Sequence, residues 1–242
     1  MKDKKNGTQS IDRSLEILSI LAVNGKMTAS ALAKQIGIHQ TSASRMLQSM
    51  QKARIVYKPD FHSFALDIGV LLLAGSALHG FPTVGRAVGI CSTISRTHGL
   101  DAAAGALFNG KILYFARSGM NMDFRIVDDS NYPVHLSSIG LAVTYGEGKR
   151  EALKTIGHSI RESGETRYSA REIYDIVDRS FSENGFLYLK DFAGNKINCS
   201  ITFQYERGTA ALAVFSKEKY FTPEEIKSLL TANLQIMTNN NK

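Results

Sequence analysis

Three short helical patterns followed by a hairpin pattern occupy residues 11 to 66, and this order constrains the chain more than any other feature. Ile11, Leu15, Leu18 and Ala22 fall at the spacing of one helix face, and Asn24-Gly25 stops that helix. A second helix starts at Thr28 or Ser30 as N-cap, turns Leu32, Ala33 and Ile36 inward and ends at Gly37. After the turn at Ile38-His39, a third helix runs from about Gln40 to Lys52. Ala43, Met46, Leu47 and Met50 take one of its faces, and Gln40, Thr41, Ser42, Ser44, Arg45 and Gln48 take the other. Ile55 to Lys58, the turn residues Pro59-Asp60 and Phe61 to Leu66 then read as a two-stranded hairpin. This is the order of a winged helix-turn-helix, with Gly37 in the tight turn between its second and third helices.

Charge agrees with that reading. Residues 1 to 60 hold ten Lys or Arg against four acids, so almost all of the formal net charge of +7 sits in this segment. A basic head on a nearly balanced body suggests a polyanion-binding module joined to a second function. The third helix carries short donors and acceptors at its N-terminal turn, where a recognition helix meets base edges and phosphates. Arg45, one turn in, has the length and the fork to hold a phosphate or a guanine. Lys58 and His62 in the hairpin are further candidates for phosphate or minor-groove contact.

The remaining sequence reads as an α+β body. Residues 68 to 80 form a linking helix, and Val84, Val88, Cys91 and Ile94 keep helical spacing up to His98-Gly99. Ala102 to Phe108 and Lys111 to Ala116 are strands joined by Asn109-Gly110, a strong hairpin signal. Further strands are expected over Asp123 to Val127, Phe186 to Lys190, Ile197 to Phe203 and Ala210 to Phe215. Helices are expected over Ile139 to Tyr145, Lys149 to Ile156, Ser169 to Asn184 and Thr222 to Met237. Ser169 with Glu172, and Thr222 with Glu225, fit the capping box. The expected architecture is a winged helix-turn-helix domain at 1–67, a linker helix at 68–80 and an α+β domain with a mostly antiparallel sheet at 81–242.

Several classes are excluded. No apolar run approaches eighteen residues, so no membrane span is expected, and no apolar segment follows the basic N-terminus to make a signal peptide. Hydrophobic residues make up 43% of the chain and charged residues 21%, which suits a globular protein. Two cysteines, Cys91 and Cys199, cannot build a disulfide framework or a four-cysteine zinc site, and a reducing cytoplasm is the expected compartment. Among the six histidines no pair has a metal-binding spacing, and no phosphate-binding glycine motif occurs, so neither metal nor cofactor is expected. Cys199 with His98, His135 and Asp191 could be arranged as a cysteine nucleophile, but no local signature supports it.

At the level of motifs the chain resembles the IclR family of bacterial transcription regulators along nearly its whole length. The opening helix of that family, Asp-Arg-(Ala/Ser)-Leu-x-Ile-Leu, is Asp12-Arg13-Ser14-Leu15-Glu16-Ile17-Leu18 here. The recognition helix Ser-Thr-x-x-Arg-Leu-Leu resembles Thr41-Ser42-Ala43-Ser44-Arg45-Met46-Leu47. The wing's Tyr-x-Leu-Gly is Phe64-Ala65-Leu66-Asp67, with Asp67 in place of glycine. In the body, His-x-x-Ala-x-Gly-Lys-Ala resembles His135 to Ala142, with Leu141 in place of lysine, and Cys-x-Ala-x-Pro resembles Cys199 to Phe203.

The resemblance implies double-stranded operator DNA as a partner, assembly as a homodimer or homotetramer, no catalysis, and a small-molecule effector held in the C-terminal domain. Repression is the expected sense of regulation. The implied DNA-contacting residues are Arg13, Gln40, Thr41, Ser42, Ser44, Arg45, Lys58 and His62. For the effector they are Ala104, Ser137, Ser138, Ile139, Gly140, Asp191, Cys199, Ile201, Ala213 and Phe215. A helix start near Ser137 to Gly140 would present backbone N–H groups to a carboxylate, although these serines could equally serve only as caps. The family's Leu-Ser-Val-Ser strand is Leu212-Ala213-Val214-Phe215 here, so two hydroxyls are absent and a phenyl ring is added. The effector is therefore expected to be more apolar than a short keto acid, or the pocket to be partly closed. A winged-helix protein-interaction module without DNA binding remains the alternative reading.

Overall fold

The computed structural model describes residues 9–119, 122–130, 132–164 and 167–238, with backbone alone for 122–130. It divides into two compact units between His79 and Gly80.

In the first unit, α1 (Gln9–Asn24), α2 (Ala29–Ile36) and α3 (Gln40–Lys52) precede β2 (Val56–Tyr57), β3 (Ser63–Leu66) and α4 (Gly69–His79). A two-residue strand, β1 (Met27–Thr28), pairs with β3 on the side away from β2, so the expected hairpin is a three-stranded sheet of order β1-β3-β2. Two residues carry too little alternation to be read as a strand. Thr28 caps α2 by accepting the N–H of Ala31 at 3.2 Å, and Gly37 ends it at φ +69°, a left-handed position that costs glycine nothing. Leu32, Ala43, Leu47, Val56 and Phe64 close the small core. From α1 only Ile17 and Leu21 are fully buried, while Ile11 and Leu15 are exposed. The inward face of α1 is therefore rotated from the expected Ile11-Leu15-Leu18-Ala22 stripe.

The exit from the second strand of the wing is built without a glycine at position 67. Asp67 stands where glycine was expected, and its carboxylate accepts Arg54 Nε at 3.0 Å and the N–H of Ile68 at 2.7 Å. It thereby holds the start of α4. The glycine is needed two residues later, because a Cβ at Gly69 would collide with the carbonyl oxygen of Arg54.

In the second unit, the elements are α5 (Pro82–His98), β4 (Asp101–Phe108), β5 (Lys111–Gly119), β6 (Met122–Ser130), α6 (Ser138–Gly146), α7 (Lys149–Ser163), α8 (Ala170–Asn184), β7 (Leu187–Phe192), β8 (Asn195–Tyr205), β9 (Gly208–Ser216) and α9 (Pro223–Thr238). The six strands form one antiparallel sheet of order β6-β5-β4-β9-β8-β7. One face packs on α5 and α9 through Ile94, Phe186, Cys199, Leu212 and Leu230. The other packs on α6, α7 and α8 through Ile139, Leu141, Ile156, Val177 and Ala213. Each fully buried Leu, Ile or Phe contributes about 1.5–3 kcal/mol relative to exposure, so this two-sided core is the main source of stability.

Local chemistry sets the ends of the elements. Asn109 and Gly110, at φ +51° and +77°, make the tight turn between β4 and β5. Ser169 and Glu172 form a reciprocal capping box on α8, and Thr222 and Glu225 exchange the same pair of bonds at α9. Leu141, which replaces the family's lysine, is 1% exposed inside the second core, where a charge would be strongly disfavoured. Among the described residues no helix is long and apolar enough to cross a membrane.

Candidate functional site

In the head, the outer face of α3 is exposed at Gln40, Thr41, Arg45 and Gln48, while Ser42 and Ser44 are half-buried. His39 precedes the helix without a side-chain cap bond, and in the first turn the Ser42 N–H bonds back to the His39 carbonyl at 3.0 Å. No acidic residue occurs from Gln40 to Lys52, so nothing on the helix opposes an approaching phosphate. Arg13 is half-buried on α1. Lys58 and His62 are exposed in the loop joining β2 to β3, with Lys58 Nζ 5.0 Å from the centre of the Phe64 ring. In the same loop Asp60 accepts the N–H groups of Ser63 at 2.8 Å and His62 at 3.0 Å, and pairs with Lys26 at 3.2 Å. These bonds, led by the Ser63 N–H, lower its carboxyl to about 2.

In the body, a cavity of about 390 Å³ opens between the sheet and the N-terminus of α6. Its size suits a small organic molecule. The Ser137 hydroxyl accepts the N–H of Gly140 at 3.3 Å and so caps α6, leaving the first-turn N–H groups of Ser138 and Ile139 outside the helix ladder and on the cavity wall. Gly140 does not line the cavity. It lets the helix approach Val134, since a Cβ there would lie 2.7 Å from the Val134 carbonyl oxygen.

The sheet side of the cavity is set by register. Asp101, Phe215 and Asn198 form one cross-strand row, and Arg117, Ala103, Ala213 and Ser200 form the next. Ala213 and Phe215 stand on the cavity face as expected. Ala104, Cys199 and Ile201 do not. They belong to the opposite face, packed with α5 and α9, because successive strand residues alternate sides. The residues that take those places are Ala103 and Asn198 on the wall and Ser200 just behind it, where the Ser200 hydroxyl donates to the Ser138 carbonyl at 2.9 Å. Asp191 is also displaced from the expected role. It is exposed, at φ +50°, accepts the Tyr220 hydroxyl at 2.6 Å and faces Lys196 at 3.4 Å, so it fastens the β7–β8 turn to the segment after β9.

Two cavity cations were missed by sequence reasoning. Arg117 lies over the Tyr114 ring at 4.6 Å, and Lys217 follows β9. Their only sequence signal was strand parity, which needed the β4–β5 and β8–β9 registers before it could be used. Phe215 narrows the cavity without closing it. Tyr114 and Tyr132 add aromatic surface, and Asn195 and Asn198 add amides in place of the two absent hydroxyls.

Cys199 is fully buried among apolar side chains, and burial pushes its thiol up to about 12, so it is protonated at neutral pH. That geometry opposes a nucleophile. Cys91 is buried likewise, and its thiol is also raised to about 12.

The model of the IclR helix-turn-helix domain matches residues 10–60. Residues 10–60 thus carry the signature of an IclR helix-turn-helix domain. The structure of an IclR family transcriptional regulator from Brucella abortus superposes with a TM-score of 0.79 at 15% identity, over 100% of this chain and 95% of that one. An ICLR regulator from Silicibacter gives 0.75 at 16% identity, over 95% and 94%. An IclR homolog from Microbacterium hydrocarbonoxydans, solved with 4-hydroxybenzoate, gives 0.72 at 15% identity, over 95% and 97%. No curated protein sequence matches the chain. The match to the domain model covers the head, and the two-part fold of the whole chain is that of these solved structures.

Proposed function

We propose that this chain is an IclR-type operator-binding repressor of the cytoplasm, with residues 1–67 binding DNA, 68–80 linking, and 81–242 binding an organic-acid effector and assembling the oligomer. The observation that carries the DNA reading is the acid-free, outward face of α3 on a segment that holds most of the chain's net positive charge. In this reading Gln40, Thr41, Ser42, Ser44 and Arg45 meet base edges and phosphates, while Arg13, Lys58 and His62 meet the backbone or the minor groove. Paired heads in a homodimer, or pairs of them in a homotetramer, would read a short imperfect palindrome. Pairing of the heads and linkers is supported by the exposed apolar side chains Ile11 and Leu15 of α1 and Leu71, Leu72 and Leu73 of α4, which water disfavours.

For the effector, the reading is an aromatic carboxylic acid. Its carboxylate would meet the Ser138 and Ile139 N–H groups and the Arg117 and Lys217 cations, and its ring would lie against Phe215, Tyr114 and Tyr132. The 4-hydroxybenzoate held by the Microbacterium homolog is a molecule of that class. Effector binding alters operator affinity only if it favours one arrangement of the heads over another.

The test is a thermal-shift panel on the full chain with 4-hydroxybenzoate, benzoate, pyruvate and glyoxylate, followed by operator binding and in vitro transcription with whichever acid stabilises. The aromatic acids should raise Tm and change operator affinity, and bound protein should lower transcription. Strong stabilisation by pyruvate or glyoxylate and none by the aromatic acids would contradict the effector assignment.

A further inference from the structure

Phe61, at the tip of the wing, is 85% exposed, the most exposed of the large apolar side chains among the described residues. Water disfavours such a ring, and the loop around it is not a loose one. Between β2 and β3 the segment 58–62 is held from inside by Asp60, whose carboxylate takes the N–H groups of His62 and Ser63 and the ammonium of Lys26. Behind it, β3 is the central strand of the small sheet, paired on both sides. The turn therefore fixes Phe61 outward. Its one ring neighbour among the described residues is His62, edge-on at 4.9 Å and 86°.

The charge around the ring says what it fits. Asp60 is the single acid of the tip, and its charge is already met by Lys26 and the two N–H groups, while Lys58 and His62 flank the ring on either side along the loop. A rigid apolar side chain between the Lys58 cation and the His62 imidazole, on the hairpin that follows a recognition helix, matches the apolar wedges that proteins insert between base steps in the minor groove. Pyrimidine–purine steps unstack most easily and would be preferred beneath it.

We infer that Phe61 is an apolar wedge that enters the minor groove beside the major groove read by α3, and that it makes operator choice depend on the flexibility of the step under the wing. This inference rests on the DNA-binding reading above and adds a specificity determinant to it. The ring contributes desolvation and unstacking but no charge, so its removal lowers affinity without changing the number of phosphates neutralised.

The test uses duplexes selected from a random pool by the wild-type chain. Wild type, Phe61→Ala, Phe61→Leu and Lys58→Ala are titrated with the selected duplex over a salt series, and 2-aminopurine is placed at the step under the wing. Phe61→Ala should bind about tenfold more weakly, as expected for a lost ring contact, with an unchanged salt slope and an unchanged melting temperature. Phe61→Leu should lose less. Lys58→Ala should instead reduce the salt slope by about 0.9. The 2-aminopurine fluorescence should rise with wild type and not with Phe61→Ala. Binding by Phe61→Ala within twofold of wild type, or an equal fluorescence rise in both, would overturn the wedge while leaving the DNA-binding reading intact. Failure of the wild-type chain to select any duplex would remove that reading, and the wedge with it.

Discussion

The two units of this chain place their polar chemistry in opposite ways. The head buries a small apolar core and turns Gln40, Thr41 and Arg45 outward on a single helix, so its candidate interface is a continuous piece of sequence. The body surrounds its chemistry. Arg117, Asn198, Ser138 and Lys217 come from four separate segments and meet only because the sheet register and the start of α6 bring them to one cavity. A local interface should tolerate substitution without loss of fold, whereas an assembled cavity should not.

The largest effect expected from breaking this contrast is in the cores. Leu47→Ala in the head and Leu212→Ala in the body should each cost about 2–5 kcal/mol, and calorimetry should show the first lowering only the head's transition. A single shared transition shifted equally by both would show that the units are not separate in stability. Arg45→Ala comes next. It should leave the melting profile unchanged and weaken specific DNA binding by about 1–3 kcal/mol while relaxing sequence preference, as read by gel shift on a set of mutated operators. Equal weakening on every duplex would make Arg45 a phosphate contact only.

Gly140→Ala probes the assembled site. The added methyl meets the Val134 carbonyl oxygen, so a loss of about 1–3 kcal/mol is expected, together with loss of the thermal shift given by an aromatic acid. An unchanged shift would mean that the start of α6 does not set the cavity. A smaller effect belongs to Thr144, whose buried hydroxyl has no hydrogen-bond partner among the described residues. Thr144→Val should be neutral or stabilise by up to about 1 kcal/mol in denaturant unfolding, because an unmet hydroxyl is removed.

The smallest effect should come from pH. The folded Asp60 carboxyl lies near 2, below the usual carboxylate value, so its stabilisation of the wing is complete above about 4. It is lost as pH falls through 2. Asp60→Asn should remove that acid-side dependence, measured as the change in head stability between pH 5 and pH 2, and an unaltered pH profile would show that the turn does not rely on the charge.

The same contrast explains what could be read in advance. The helix-turn-helix was legible because a 3.6-residue period, the left-handed Gly37 and a hydroxyl-rich helix face are all local signals. The orientation of α1 was less so, since the apolar residues on its exposed side resemble those on its buried side. In the body, Asn109-Gly110 and the capping boxes marked the ends of elements, yet they could not say which strand face meets α6. Ala104, Cys199 and Ile201 were placed one residue out of phase for that reason, and a slip of one residue reverses every side chain. Asp191 was misplaced because its partner Tyr220 lies 29 residues away, beyond any local pattern.

The central claim is that α3 presents a cationic, groove-fitting face to duplex DNA, and its most direct test is the affinity of the full chain for a selected duplex over rising salt. Log affinity should fall linearly with log salt, by about 0.9 for each phosphate contacted, and Arg45→Ala should lower the line. A flat dependence, with Arg45→Ala indistinguishable from wild type, would contradict the account.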